Sequence, residues 1–146
     1  MEKYFCDYNQ SLALKELGFD EPCIAFYWNS GKFYTCAEYR HRIEFHKQNQ
    51  LGDYNYDSTS APLKSQVFEW FRDKQNLRSN IMDFIDDVTG IEWDYEIDFI
   101  GVDVDENGNY KPLVDYSIDD ETRKFKTYKE AESACIDKLI EIVKNK

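Results

Sequence analysis

Apolar and polar residues alternate most strictly between positions 91 and 100. One set of alternate positions holds Trp93, Tyr95, Ile97 and Phe99, and the other holds Glu92, Asp94, Glu96 and Asp98. A strict period of two is typical of an antiparallel strand with one face on the core and the other in water. The pattern therefore predicts a half-buried strand over 91–100, with four carboxylates on its exposed face.

Three segments have helical spacing, and each has a recognisable end signal. They cover residues 8–17, 61–76 and 127–144. Gly18 follows the first segment, at a position where a left-handed residue is favoured. Ser60 suits the N-cap of the second segment, and Thr127 with Glu130 forms a Thr-x-x-Glu capping box at the start of the third. We therefore expect three helices, of which the last has the strongest signals.

Shorter strands and turns fill most of the remaining sequence. Strands are expected over 23–28, from 33 onward, over 81–85 and, as a returning partner strand, over 113–118. Turns are expected at 29–32, 89–90 and 107–108. Residues 38–47 slightly favour a strand, and 48–60 are expected to form a loop. These elements predict an α+β fold: an antiparallel β-sheet of about four to six strands, with about three helices packed on one face.

Length and composition favour one domain spanning 1–146. Aromatic residues make up 16% of the chain, which argues against disorder. No apolar run approaches the roughly 18 residues needed to cross a bilayer, and the first residues do not resemble a signal peptide. The four cysteines, Cys6, Cys23, Cys36 and Cys135, form no Cys-x-x-Cys pair. We therefore expect reduced thiols in a cytoplasmic protein.

No catalytic or cofactor motif stands out, so we expect a non-enzymatic protein without cofactors or metals. Residues 103–109 copy the first half of a calcium loop, but Val114 stands where the closing Glu is needed, and a hairpin turn is the favoured interpretation. His41, His46 and Cys36 are too few for a structural zinc site. The sequence also lacks a Gly-rich phosphate loop and a nucleophile elbow.

Charge is distributed unevenly along the chain. The formal net charge is -11, and between Arg78 and Lys111 there are ten acidic residues and no Lys or Arg. Such a stretch repels itself unless a cation or a basic partner relieves it. The candidate partner-binding residues are Glu92, Asp94, Glu96, Asp98, Asp103 and Asp105. Two other interpretations stay open: a merely solvated face, or pairing within the fold with Arg40, Arg42 or the segment 123–126.

The sign of this charge restricts the classes of partner. Carboxylates attract a basic protein and repel nucleic-acid phosphates, so we expect a basic protein partner, no direct nucleic-acid binding and no membrane. An alternative function is the binding or sequestering of a nucleotide signal, with Arg40, Arg42 and Arg72 as the candidate phosphate ligands. The deficit of Lys and Arg counts against it. A structural or virion-associated role is the third hypothesis.

Three blocks of sequence resemble a known group of proteins. They are ALKELGFDEPC at 13–23, APLKSQVFEWFR at 61–72, and the segment from TYKEAE at 127 to residue 144. Together they cover about a third of the chain and resemble small uncharacterised proteins of Bacteroidota phages and mobile elements. The resemblance implies a genomic setting and carries no catalytic or ligand residues. By association it implies an accessory protein acting in the host-cell cytoplasm, such as an anti-CRISPR-like inhibitor that blocks a basic, nucleic-acid-binding host defence protein.

Overall fold

A computed structural model describes residues 1–40, 58–104, 106–107, 110–112 and 124–146. The chain divides into two compact units, Met1–Val67 (with Lys146) and Phe68–Asn145, and each is described by itself. The expectation of one domain over 1–146 is not tested by this division and stays a prediction.

The first unit is built on a three-stranded antiparallel sheet. Its elements are a 3-10 helix at Glu2–Tyr4, α1 at Tyr8–Glu16, β1 at Ala25–Trp28, β2 at Phe33–Thr35, α2 at Cys36–Arg40 and β3 at Ser58–Ser60. The strand order is β2-β1-β3, so the central strand is β1. The strand predicted over 23–28, the turn at 29–32 and the strand from 33 onward are confirmed, and Gly31 accommodates the turn with a positive φ of 75°.

Aromatic and small side chains form the core beside this sheet. Phe5, Ala25, Tyr27 and Ala61 are buried together, and Phe33 packs against them. The Tyr27 hydroxyl donates a hydrogen bond of 3.0 Å to the carbonyl oxygen of Cys6. A buried hydroxyl needs such a partner, since burying it unpaired costs free energy. The bond therefore ties β1 to the segment that precedes α1.

Helix α1 confirms the first predicted helix. Asp7 is its N-cap: the side chain accepts from the Gln10 backbone N–H at 2.9 Å, and the Gln10 side chain accepts from the Asp7 N–H at 3.2 Å. This reciprocal pair satisfies two of the backbone donors that a helix start leaves open. Gly18 follows the helix with φ 87°, as expected for a residue after a helix C-terminus.

Two sequence-based expectations in this region are wrong in part. Residues 36–40 form α2 rather than a strand, and the remainder of 38–47 lies outside the described residues. Thr35 and Glu38 explain the helix: the Glu38 carboxylate accepts from the Thr35 N–H at 2.9 Å, and the Thr35 hydroxyl accepts from the Glu38 N–H at 3.3 Å. In addition, Ser58–Ser60 is not a loop but β3, which pairs with β1.

The second unit contains most of the remaining elements. They are α3 at Lys64–Gln75, which begins in the first unit, β4 at Leu77–Asp86, β5 at Gly90–Phe99, β6 at Val102–Val104, β7 at Tyr110–Pro112 and α4 at Tyr128–Lys144. Helix α3 begins four residues after Ser60, because Ser60 is already paired to Phe26 in the sheet and is not its N-cap. The predicted strand at 81–85 is the central part of the longer β4.

Helix α4 packs on the hairpin formed by β4 and β5. The predicted capping box is confirmed, since the Thr127 hydroxyl accepts from the Glu130 N–H at 3.3 Å and the Glu130 carboxylate accepts from the Thr127 N–H at 3.1 Å. The apolar face of the helix follows a spacing of three and four residues, as an amphipathic helix requires. Its buried residues are Ala131, Cys135, Ile136, Leu139 and Ile140.

The α+β class is confirmed. The described strands form three antiparallel sheets, β2-β1-β3, β4-β5 and β6-β7. One sheet of four to six strands with helices on one face is not among them and stays a prediction, as does the strand at 113–118, which lies outside the described residues. In the part of the chain that is described, no helix combines the length and apolar character needed to span a membrane.

Candidate functional site: the acidic face of the β4–β5 hairpin

The pairing of β4 with β5 fixes the surroundings of the four acids predicted to share a strand face. Opposite pairs on this face are Asp98 with Arg78, Glu96 with Asn80, Asp94 with Met82, and Glu92 with Phe84. We call Glu92, Asp94, Glu96 and Asp98 the acidic row. The other face of β5 carries Tyr95 and Ile97, both buried. The strand predicted at 91–100 is therefore confirmed, with the acids and the core residues on opposite faces.

A tight turn closes the hairpin at one end of the acidic row. The Asp86 carboxylate accepts from the backbone N–H groups of Val88 and Thr89, at 2.8 and 2.9 Å. The Thr89 hydroxyl in turn donates to Glu92. Gly90 completes the turn with φ 89°, a conformation that residues with a Cβ rarely adopt. The turn is thus held by two carboxylates, that of Asp86 and that of Glu92 at the end of the acidic row.

Lys124 lies against this same end of the row. Its ammonium nitrogen is 3.1 Å from Asp86 Oδ2 and 3.2 Å from Glu92 Oε2, the second contact being an ion pair outside hydrogen-bond geometry. It also lies 5.6 Å from the centre of the Phe84 ring, within the range of a cation–π contact. The backbone donors of Thr89 and Val88, followed by Lys124, hold the pKa of Asp86 well below its usual range.

The backbone explains why Lys124 reaches this face. Phe125 pairs with Trp93 along the outer edge of β5, with both N–H···O distances at 2.9 Å. The Phe125 ring stacks on Tyr95, on the buried face, at 6.0 Å between ring centres. Because successive side chains of an extended segment point to opposite sides, the residue before Phe125 is directed to the acidic face.

Arg78 pairs with the opposite end of the row. Its guanidinium lies 2.9 Å from Asp98 Oδ2, directly across the two strands. The two side chains are 66% and 33% exposed, so the pair is worth less than about 1 kcal/mol in water. Both ends of the row are therefore paired: the cation at Glu92 comes from the segment 123–126, which was one of the open interpretations, and the cation at Asp98 is Arg78.

The centre of the row differs from its ends. Asp94 accepts a hydrogen bond of 2.7 Å from the N–H of Tyr95, and Glu96 is exposed opposite Asn80. Neither forms an ion pair with any cation among the described residues. Alternate residues of a strand lie about 6.7 Å apart, so these two carboxylates repel each other and their charged neighbours. The centre of the row is consequently the part most able to attract a cationic group.

The two remaining candidate partner-binding residues are only partly placed. Asp103 lies in β6 opposite Lys111, and Asp105 falls outside the described residues, as does Gly108 of the predicted turn. The antiparallel pairing of β6 with β7 agrees with a chain reversal at that turn, and the returning strand predicted over 113–118 lies outside the described residues. Within the described ranges, no group of three or more His, Cys, Asp or Glu side chains is placed to hold a metal ion.

Arg72 is the one residue suggested for a nucleotide signal whose side chain is described. Arg72 lies exposed on α3, 2.8 Å from Asp73 and 3.5 Å from Glu69. Arg42 lies outside the described residues, and Arg40 is placed only as the last residue of α2. These contacts neutralise Arg72 and offer no phosphate site by themselves.

Sequence reasoning missed one feature of the hairpin, its apolar tip. Ile85, Val88 and Ile91 are 80%, 92% and 61% exposed. The signal was present, because Ile91 begins the same alternation that places Trp93, Tyr95 and Ile97 on the core face. What the pattern cannot give is where α4 begins to cover this face, since that depends on contacts distant in sequence.

Comparison of the chain with known protein families, with curated proteins and with solved structures finds no match.

Proposed function

We propose that this chain is a non-enzymatic binding protein that attaches to a basic surface of a partner protein through the acidic row. One observation supports this best: Lys124 and Arg78 pair with the two ends of the row, and Asp94 and Glu96 in its centre have no cationic partner among the described residues. The β4–β5 hairpin carries seven acids and one Arg between 77 and 100. The field that remains at its centre is negative.

Electrostatic attraction gives such binding a definite character. Oppositely charged surfaces steer diffusional encounter, so association is fast at low salt. Salt at physiological strength limits the reach of exposed charges to about 8 Å. Affinity for a basic partner should therefore fall as salt is added, and should depend more on Glu96 and Asp94 than on the two paired acids.

The partner that fits this surface is a protein with a groove built for nucleic acid. Such grooves are lined with Lys and Arg that neutralise phosphates. A row of carboxylates presents the same sign of charge and can occupy the groove in place of the nucleic acid. With the resemblance to phage and mobile-element proteins, this supports an anti-CRISPR-like inhibitor of a host defence protein, acting in the host-cell cytoplasm, with Asp103 and Asp105 as further contact residues.

The two alternative functions have less support. Binding of a nucleotide signal needs convergent basic groups, and Arg72 is already paired with two carboxylates. A structural or virion-associated role needs a large apolar interface, and the apolar tip of the hairpin comprises three side chains. The acidic row, in contrast, has two carboxylates at its centre without a cationic partner among the described residues, and this observation favours the binding of a basic protein.

The proposal is tested by capture from a Bacteroides lysate, with purified wild-type protein and two variants immobilised at low and moderate salt. Glu96→Lys reverses one charge in the centre of the row. Asp20→Lys makes the same change at an exposed acid outside the hairpin. We expect wild type and Asp20→Lys to retain a nucleic-acid-binding protein at low salt. That protein should be lost with Glu96→Lys and with added salt, and its own nucleic acid should displace it. Equal retention by all three proteins would show that the row is only a solvated face.

A further inference from the structure

The apolar face of the β4–β5 hairpin extends beyond the helix that covers it. Near α4 this face is packed: Tyr95 and Ile97 are buried, and the Trp93 ring meets the Tyr128 ring edge-on at 5.3 Å. Tyr128 is the first residue of α4. Ile91 lies two residues before Trp93 on the same face, directly opposite Ile85, and both are exposed. Helix α4 therefore covers this face as far as Trp93 and leaves the last pair, Ile85 with Ile91, exposed.

Three exposed aliphatic residues lie at this end of the hairpin, the opposed pair Ile85 and Ile91 and one residue of the turn. Val88 is in the turn between Ile85 and Ile91 and is the most exposed of the three, at 92%. Turns at the end of hairpins are usually built from Gly, Asn, Asp and Ser, because these residues adopt the required backbone angles and are compatible with exposure to solvent. A contiguous exposed apolar patch on an otherwise polar surface is characteristic of an interaction site.

The charges around the patch select its occupant. Asp83 is exposed on the same face, two residues before Ile85, and Asp87 is exposed in the turn beside Val88. Two acids at the border of an apolar patch attract a surface that is apolar in the middle and basic at its edges. A second copy of the chain would bring like charges together, and an anionic lipid surface would be repelled in the same way.

We propose that this apolar tip, formed by Ile85, Val88 and Ile91 with Asp83 and Asp87 at its border, binds an amphipathic basic helix of a partner protein. The adjoining part of the same face already accepts a helix, α4, so a second helix continues the layer that α4 begins. Leu or Ile side chains of that helix cover the three aliphatic residues, and its Lys or Arg side chains pair with the two acids. Ile85 and Ile91 lie on the opposite face from the acidic row, so this inference goes beyond the proposed function and does not depend on it.

The test uses the full chain and three synthetic peptides of equal length, each labelled with a fluorophore. The first is an amphipathic helix of leucine and lysine, the second replaces lysine with glutamate, and the third replaces leucine with serine. Fluorescence anisotropy measures their affinity for wild type, for Val88→Ser, for the triple variant I85S/V88S/I91S and for Asp83→Lys. Ile24→Ser, which changes an exposed isoleucine in the first unit, is the matched control.

The expected result has two parts. The leucine–lysine peptide binds wild type and Ile24→Ser equally, and the triple variant weakens its binding by about tenfold or more, to the level of the serine–lysine peptide. Asp83→Lys weakens it as well, and the leucine–glutamate peptide does not bind. Val88→Ser, whose side chain makes almost no contact with the fold, lowers the affinity severalfold and keeps the test valid if the triple variant fails to fold.

Other outcomes overturn the inference. Equal affinity of the leucine–lysine peptide for wild type, Val88→Ser and Ile24→Ser would show that the tip is not the site. Equal affinity for the glutamate peptide would show that charge does not select the occupant. Self-association of wild type in light scattering, lost in Val88→Ser, would assign the tip to a second copy. None of these results changes the lysate experiment with Glu96→Lys, so failure of the tip and failure of the acidic row are distinguishable.

Discussion

The ammonium nitrogen of Lys124 lies 3.1 Å from Asp86 Oδ2. Lys124 comes shortly before α4, whereas Asp86 is the last residue of β4, so the contact joins parts of the chain that are distant in sequence. The contact adds to two backbone hydrogen bonds that Asp86 accepts from Thr89 and Val88, and together they lower the pKa of its carboxyl well below the usual value of 3.8. A carboxyl whose folded pKa is lowered contributes stability that is fully present above its unfolded pKa and is lost as pH falls through the folded one. The charged neighbour facing the pair is Glu92, which contacts the same ammonium.

This arrangement predicts how stability changes in acid. The melting temperature of wild type should fall as pH is lowered from about 4 toward 2, because the unfolded chain then binds a proton at Asp86 that the folded protein does not bind. Asp86→Asn should be less stable at pH 6 and should lose less on acidification, since its side chain no longer titrates. Asp87→Asn, an exposed neighbour, is the control and should keep the slope of wild type. Parallel melting curves of wild type and Asp86→Asn below pH 4 would contradict the assignment.

The acidic row predicts opposite effects for two of its members. Glu96→Gln should raise the melting temperature slightly at pH 7 and low salt, because it removes repulsion from Asp94 and Asp98. Glu92→Gln should lower it, because Glu92 contacts Lys124 and accepts from Thr89. Added salt should reduce the gain from Glu96→Gln, since screening weakens the same repulsion. A loss of stability from Glu96→Gln would mean that its carboxylate is paired within the fold.

Local patterns predicted most of the second unit, because the responsible interactions are short in sequence. The alternation at 91–100 gave β5 and the face of its acids, and the Thr127–Glu130 spacing gave the start of α4. The same Thr-x-x-Glu spacing occurs at Thr35 and Glu38, where it begins α2, but the alternating pattern of the following residues favours a strand there.

Long-range pairing explains what the sequence did not show. The spacing of Lys124 from Asp86 and Glu92 carries no periodic signal, because the contact depends on Phe125 pairing with Trp93 at the edge of β5. The start of α3 was misplaced for a similar reason, since Ser60 pairs with Phe26 in another strand. The exposed tip of the hairpin depends on where α4 begins to cover it.

The first unit offers a test of its buried hydroxyl. Tyr27→Phe keeps the ring but removes the buried hydrogen bond that the hydroxyl donates to the carbonyl oxygen of Cys6, and losing such a bond costs about 0.5–1.5 kcal/mol of unfolding free energy. Tyr8→Phe removes a longer and exposed bond of 3.3 Å to Asn29 and should cost less. Urea unfolding followed by fluorescence measures both. Equal losses for the two variants would show that the Tyr27 bond has no special contribution.

The turn that closes the hairpin depends on the backbone of Gly90. Its φ of 89° lies in the left-handed region, and beyond the two neighbouring residues no heavy atom lies within 4 Å of the position that a Cβ would take. The cost of Gly90→Ala is therefore backbone strain alone, about 1–2 kcal/mol of unfolding free energy. Gly90→Asn should cost less, because the short polar side chain of Asn tolerates this conformation. Urea unfolding of the two variants measures the difference. A smaller cost for Ala than for Asn would mean that the turn changes its conformation, and peptide binding at the apolar tip should then weaken in Gly90→Ala as well.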